Sequence, residues 1–524
     1  MTAIARTSSL FPSAGEWAYS NDATAGDASL TATFGRLFTV AAICLLLIAT
    51  GLRVYHLGRR SLWFDEALTA NVSRGSLSQA LEETRARGSA PIVHPYILYL
   101  MERFGTSADD VRMPSLLASL MAVGMMLAMV RCKVTPAAAL FAAAILATSA
   151  SQVRYAQEVR EYSLAVLYAA VLIYSLLGWE ATGSRDRHPS WLYTALFFAP
   201  LVQYGLVLLS AAILGTMLVR VLFTKETPFR VAHIASSSFF LACGGLLSYF
   251  LTLRYQFQPG KGQWYLAANY FDPKTMKPLH FLFATSGQMF SFFMPGQIIS
   301  VCFIGAAVFF CWVQCRTRRV ETVTLIVALS FAVTIFAALL KAYPYGGIRQ
   351  DLFLSPGLIL FAGMAFASVL RGIKKHYQPV AVVTLLLVIL FSGYRGLMRQ
   401  YPYKEYEDTL SILHRLSGSM APTDEVWVNH DAVEAIDFYT QEKDRRFVYG
   451  NYHKNPQEYL PELLASIKPN NDRLWLVFSH LEQPSDLSEE KLIVGSLPAD
   501  WDVRSVLTPT NAGLYFAERK HPKP

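Results

Sequence analysis

Residues 191–223 read WLYTALFFAPLVQYGLVLLSAAILGTMLVRVLF. The topology of the whole chain turns on whether this stretch is one long tilted helix or two short helices meeting at Gln203-Tyr204-Gly205. The choice sets the parity of everything that follows. Other apolar runs lie near 37–56, 113–130, 136–151, 162–179, 232–252, 297–315, 321–340, 352–370 and 379–397. Each is read as a membrane helix, although several are shorter than the roughly 20 residues of a straight span. One alternate set of short loops carries Arg131/Lys133, Arg185/Arg187, Lys225/Arg230, Arg316/Arg318/Arg319 and Arg371/Lys374/Lys375. Short basic loops mark the cytoplasmic side. The alternation persists only if 191–204 and 206–223 are separate helices. About eleven spans are therefore expected, with the N-terminus inside and the C-terminal region outside.

Composition agrees with a membrane protein. Of 524 residues, 53% are hydrophobic and only 16% charged, with a mean hydropathy of +0.31; soluble domains carry roughly 25% charged residues. The net charge of +8 is segregated. From Gln400 onward there are 13 Lys/Arg against 20 Asp/Glu, or −7, so the rest carries +15. That excess belongs to membrane loops and interfaces and argues for no nucleic-acid partner. The six cysteines, Cys44, Cys132, Cys243, Cys302, Cys311 and Cys315, all fall in apolar runs or at their cytoplasmic ends. Neither a disulfide nor a zinc site is expected. Residues 1–35 are polar without an apolar period and are read as a disordered cytoplasmic tail. No cleavage signature follows the first apolar run, which is read as an uncleaved anchor.

The transmembrane part is expected over 36–399. Its outer face holds the long connections 57–112 and 253–296, the short ones 152–161 and 341–351, and everything after 398. Within 57–112, Ser76–Arg87 and Ile92–Phe104 suit helices lying along the interface. Residues 400–524 change character. Helices near Glu405–Leu416, Asp431–Tyr439 and Pro456–Ile467 alternate with strands near 426–428, 447–449, Leu474–Phe478, 503–507 and 513–518. This predicts a small periplasmic α/β domain.

Candidate chemistry clusters on the outer face. Arg59-Arg60-Ser61-Leu62-Trp63-Phe64-Asp65-Glu66-Ala67 follows the first span directly. Carboxylates held among aromatic residues at a bilayer surface are costly to keep dry and call for a function. In a strand or loop the adjacent pair points to opposite sides, so a division of labour is expected. One carboxylate is a base near substrate, and the other is the partner of a nearby arginine. The alternative is an interfacial anchor beside Trp63. His94-Pro95-Tyr96 suits a helix start, and Arg112 opens the second span, where it meets a lipid phosphate or anchors the helix in headgroups. Arg154 to Tyr162 is a dense polar patch containing Tyr155, Gln157, Glu158 and Arg160. On a helix Gln157, Arg160 and Glu161 would share a face. In Tyr343-Pro344-Tyr345-Gly346-Gly347-Ile348-Arg349 the glycines permit close backbone approach and Arg349 suits an anion.

Taken in order, these pieces resemble the GT-C membrane glycosyltransferases. The likeness is to bacterial relatives of protein O-mannosyltransferases and lipid A aminoarabinose transferases, the glycosyltransferase family 39 type. It covers roughly residues 36–400. It rests on Trp63-Phe64-Asp65-Glu66, His94-Pro95, Arg112-Met113-Pro114-Ser115, Tyr155-Ala156-Gln157-Glu158-Val159-Arg160-Glu161-Tyr162, Gln203-Tyr204-Gly205, and Arg349 with Pro356. Gln203 stands where relatives often have histidine, and Arg349 is followed by Gln rather than Tyr. The resemblance implies a polytopic α-helical GT-C fold with an extracytoplasmic α/β domain. It also implies a polyprenyl-phosphate sugar donor and an inverting displacement at the outer face of the bacterial inner membrane. The acceptor hydroxyl would belong to a glycolipid, a polysaccharide or a protein. Asp65 would be the base, with Glu66 beside it, and Arg112 and Arg349 would meet the lipid phosphate. His94, Tyr155, Gln157, Glu158 and Arg160 complete the expected substrate site. A divalent metal is used in some branches, but its second carboxylate has no counterpart that can be placed here, so no cofactor is carried over. The competing readings are a transporter or flippase of lipid-linked saccharides, a surface-polysaccharide polymerase or ligase, and a membrane scaffold.

Overall fold

The computed structural model describes residues 25–88, 90–183, 189–224, 227–256, 266–400, 407–440, 446–451, 458–467, 472–481 and 489–520. In the apolar part the helices are α1 Ala25–Val54, α2 Phe64–Asn71, α3 Leu77–Ala86, α4 Val93–Met101, α5 Ala108–Ala128, α6 Pro136–Thr148, α7 Ala150–Ala156, α8 Tyr162–Thr182, α9 Ser190–Val202, α10 Leu206–Phe223 and α11 Val231–Ser248. They continue with the short α12 Arg254–Gln256, then α13 Pro278–Phe293, α14 Gln297–Thr317, α15 Thr322–Leu339, α16 Ser355–Leu370 and α17 Gln378–Gln400. Among the described residues nine helices are long and apolar enough to cross a membrane. The pair α6–α7, bent by 61° where Ser149 adopts an extended backbone, makes a tenth if counted as one broken span, and α9 is a shorter apolar helix. Every apolar segment expected to span is thus helical, and the chain is a multi-pass membrane protein.

The stretch at 191–223 divides as two helices. Gln203 is extended at φ −162° and ψ 135° and ends α9; Tyr204-Gly205 turns the chain into α10. Residues 25–35, expected in the N-terminal tail, belong instead to α1, and residues 1–24 lie outside the described part. The connection expected over 253–296 contains α13, whose Phe281, Met289 and Phe293 join the core.

Alanine makes the centre of the bundle dense. From Ala138 to Thr148 every residue of α6 is buried. A Cβ on Gly363 would stand 2.3 Å from the Ala138 carbonyl oxygen, so α16 approaches α6 backbone to backbone. Small residues allow such contact where lipid offers no hydrophobic drive.

The C-terminal part adds α18 Thr409–Ser417, β1 Glu425–Val428, α19 Val433–Thr440, β2 Phe447–Tyr449, α20 Tyr459–Ser466, β3 Arg473–Ser479, α21 Glu489–Ser496, β4 Trp501–Leu507 and β5 Ala512–Arg519. Helix α21 was not foreseen. The sheet order is β2-β1-β3-β5-β4, with β1 parallel to β2 and β3, and β5 antiparallel to β3 and β4. Strand alternation sends Trp475 and Val477 to one face and Leu474, Leu476 and Phe478 to the other. Residues of α18 and α19 pack on the first face, and those of α20 and α21 on the second. Helix α19 also reaches α2: Ala435 and Phe438 share a buried cluster with Leu62, Ala67, Ala70, Leu98, Val111 and Val159.

Candidate active site

Asp65 and Glu66 lie in the first turn of α2, not in a strand or loop as expected. Anionic side chains there are favoured by the unsatisfied N–H groups of a helix start. On a helix, neighbours diverge by about 100°, so the expected division of labour arises by a different geometry.

Glu66 turns inward and is 2% exposed. Its Oε1 accepts from Arg112 Nε at 3.0 Å and the Val159 N–H at 2.8 Å, and its Oε2 accepts from Arg112 Nη2 at 2.8 Å. Arg112 is fully buried. Its Nη1 donates to the Leu57 and Arg60 carbonyls at 2.8 and 3.0 Å, and Nη2 also donates to the Ser61 carbonyl at 3.3 Å. All five guanidinium N–H groups are therefore committed inside the protein. This corrects the expectation that Arg112 meets a lipid phosphate: no donor is left to meet one. Arg112 and Glu66 form a clamp joining α5, α2 and the 157–161 turn.

Asp65 stays partly exposed, its side chain 21% accessible. Arg349 Nη2 lies 2.7 Å from its Oδ2 and Arg160 Nη1 3.7 Å. Burial by itself would raise its pKa, but the charges of Arg160 and Arg349 and the Arg349 hydrogen bond outweigh it, so the carboxyl lies below its ordinary range. Aromatic faces enclose the pair. The Arg349 guanidinium stands 5.2 Å from the Trp63 ring centre and 5.8 Å from that of Tyr162. Arg160 Nη2 donates to the Tyr162 hydroxyl at 3.3 Å and Nη1 to Thr69 Oγ1 at 3.4 Å, with Glu161 Oε2 3.5 Å from Nε.

The 157–161 connection is a tight turn between α7 and α8, not helical, so Gln157, Arg160 and Glu161 do not share a helix face as expected. Arg160 and Tyr162 face Asp65. Gln157 and Glu158 lie on the other side, toward Arg53 and Arg154. Gln157 Nε2 donates to the Arg53 and Tyr55 carbonyls at 2.9 and 2.8 Å, a packing role. Glu158 is 1% exposed and pairs with Arg154 at 3.3 Å; burial pushes its carboxyl up, against the pull of Arg154. Tyr155 packs edge-on against Tyr162, ring centres 5.5 Å apart. His94 is 1% exposed and neither ring nitrogen has a hydrogen-bond partner among the described residues. Burial, then the charge of Arg160, pushes its pKa down to about 3, so it is neutral.

The backbone on either side of Arg349 is braced by its neighbours. The Asp351 side chain accepts the Gly346 N–H at 2.8 Å. Gly346 and Gly347 have φ of 130° and 65°, a region glycine enters without penalty. Gln203 Nε2 donates to the Tyr343 hydroxyl at 3.1 Å, and that hydroxyl donates to the Gln350 carbonyl at 2.8 Å. The break between α9 and α10 thereby braces the arginine segment. Tyr162 stood in the sequence motif without an assigned role. Trp63 and Tyr343 likewise stood in the Trp63–Glu66 and Tyr343–Arg349 segments without an assigned role. Among the described residues no three His, Cys, Asp or Glu side chains converge as a metal set.

Residues 89–248 match the family model described as dolichyl-phosphate-mannose-protein mannosyltransferase. They include His94, Arg112, the whole 154–162 patch and Gln203. The fold is matched over nearly its full length by ArnT from Cupriavidus metallidurans bound to undecaprenyl phosphate. That match has a TM-score of 0.54 and 13% identity, covering 92% of this chain and 98% of that one. The chain has the fold of the GT-C membrane glycosyltransferases. The Archaeoglobus fulgidus oligosaccharyltransferase in complex with zinc and sulfate is similar at TM-score 0.52 and 12% identity, over 83% of this chain and 67% of that one. AglB from the same organism, in complex with an inhibitory peptide and a dolichol-phosphate, is similar at TM-score 0.50 and 9% identity, over 84% and 69%. No curated protein matches the GT-C chain in sequence. Such low identities carry the fold alone; the likeness to the mannosyltransferases rests on the family model over residues 89–248.

Proposed function

We propose that the protein transfers a sugar from a polyprenyl-phosphate donor to an acceptor hydroxyl, with Asp65 as the base. The reaction takes place at the outer face of a bacterial inner membrane, with the N-terminus cytoplasmic and the 400–524 domain periplasmic. The carrying observation is the arrangement at Asp65: one partly exposed carboxylate held by Arg349 at 2.7 Å and Arg160 at 3.7 Å, walled by Trp63 and Tyr162. Undecaprenyl phosphate in ArnT and dolichol-phosphate in AglB support the donor class.

In the proposed reaction the acceptor oxygen attacks the anomeric carbon from the face opposite the phosphate. The bond from that carbon to the phosphate oxygen breaks with its electron pair going to the phosphate, and the acceptor proton passes to Asp65. Configuration inverts. Charge building on the leaving phosphate is met by guanidinium groups already oriented in the protein. Arg349 and Arg160 take that role here, replacing the Arg112 and Arg349 pair implied by the resemblance. A phosphate that draws Arg349 to itself weakens the hold on Asp65 and strengthens it as a base, because the charge that depresses its proton affinity is shared with the ligand. Donor binding thus readies the base.

The test is transfer in membranes from a panel of radiolabelled polyprenyl-phosphate sugars, comparing the unmodified protein with Asp65→Asn and following label into lipid, protein and polysaccharide. Loss of about 10²–10⁴-fold in rate, with donor still bound, is expected. Equal transfer by both forms excludes Asp65 as base.

A further inference from the structure

Helix α2 has only eight residues, and the residue preceding it, Trp63, makes no side-chain capping bond. So short a helix does not hold itself together in isolation. Beyond the Glu66–Arg112 clamp, further support comes from the C-terminal domain. The Phe64 N–H, one of the orphan donors of the first turn, is accepted at 3.1 Å by Glu407 Oε2. Glu407 is 2% exposed and also accepts from Ser479 Oγ at 3.2 Å, and its Oε1 pairs with His480 Nδ1 at 2.5 Å. The residues just before α2 are held in the same way. Ser61 Oγ pairs with Asp408 Oδ1 at 3.3 Å and accepts the Leu410 N–H at 3.0 Å, while the Leu62 N–H is accepted by the Tyr439 hydroxyl at 2.7 Å. At the far end Asn71 Nδ2 donates to the Glu434 carbonyl at 2.8 Å. His480 has φ +58°, unusual for a residue with a side chain, and its ring lies against Phe64 with centres 5.2 Å apart.

We infer that the α/β domain is a working part of the site, in which Glu407 and His480 are positioning residues that cap α2 from a distant part of the chain and hold Asp65 at the angle transfer requires. Backbone strain at His480, one residue from Ser479 in the same hydrogen-bonded group, fits a contact that the fold maintains for the site. The claim about transfer rests on the reading of Asp65 as base; the claim about α2 does not.

The experiment uses the full chain in nanodiscs, with Glu407→Ala, Glu407→Gln, His480→Ala and Tyr439→Phe. Hydrogen exchange is read over 61–71, and donor KM and kcat are read with the radiolabelled polyprenyl-phosphate panel. Glu407→Ala is expected to speed exchange in α2 by about tenfold or more and to lower kcat with little change in donor KM. Glu407→Gln keeps an oxygen to accept the Phe64 N–H and should restore most of both. Unchanged exchange in Glu407→Ala overturns the inference, as does faster exchange with unaltered kcat. Should Glu407→Ala fail to fold, His480→Ala, which deletes the Glu407 and Phe64 contacts, and Tyr439→Phe, which deletes the bond to the Leu62 N–H, are read by the same criteria. Absence of transfer by the unmodified protein counts against the transferase reading, and the exchange data then decide by themselves whether the domain holds α2.

Discussion

Arg112 was expected at the lipid phosphate, and its geometry makes it a clamp; the two roles separate cleanly on substitution. Arg112→Met removes all five donated hydrogen bonds and leaves the Glu66 carboxylate buried with the Val159 N–H as its remaining partner. Removing one member of a buried pair costs about 3–5 kcal/mol, because the stranded charge keeps its desolvation penalty. At about 1.4 kcal/mol per tenfold, local opening of 57–71 becomes roughly a hundred to several thousand times more frequent. Hydrogen exchange of the purified protein in nanodiscs measures this directly. Glu66→Gln combined with Arg112→Met removes both charges and should open less than Arg112→Met alone, giving a large coupling in the double-mutant cycle. Affinity for undecaprenyl phosphate, corrected for the folded fraction, should be unchanged in both. Additive effects on exchange, or affinity lost with exchange unaltered, would refute the clamp and restore Arg112 to the phosphate.

Two further outcomes follow from the site. With its pKa lowered in the free protein, Asp65 contributes stability that is present above its unfolded value of about 3.9 and lost only as pH falls through the still lower folded value. The acid limb that Asp65 sets in kcat/KM, which reports the free enzyme, should therefore lie below the ordinary carboxylate range. The acid limb of kcat should lie higher, because bound phosphate shares Arg349; coincident limbs would argue against that sharing. Gly347→Ala puts a side chain at φ +65° with its Cβ 2.8 Å from the Gln288 carbonyl carbon. A loss of about 1–3 kcal/mol is expected, seen as a lower thermal midpoint together with weaker donor binding through displaced Arg349; an unchanged midpoint would show that the loop yields freely.

Much of this protein was legible in one dimension. Membrane helices are written in runs of apolar residues, and the spacing of Arg131, Arg185, Lys225, Arg316 and Arg371 was enough to divide 191–223 correctly at Gln203. Strand alternation at 474–478 and turn residues around it located the C-terminal sheet. The order of motifs brought Asp65, Arg160 and Arg349 forward as candidates. Sequence could not assign partners, because a guanidinium at bilayer depth looks the same whether it faces ligand or carbonyl oxygens. Arg112, Arg160 and Arg349 were equal in that respect. Folding separates them: Arg112 is sealed among the Leu57, Arg60 and Ser61 carbonyls, and the other two are left beside Asp65. Glu407 and His480 were invisible for a related reason. They lie more than 300 residues from Phe64, and no local period or spacing records a hydrogen bond closed across that distance. Local pattern determines which segments become helices and strands, since those preferences act between near neighbours. Which charges are buried against which, and so which of them remain for chemistry, is decided only when the segments pack.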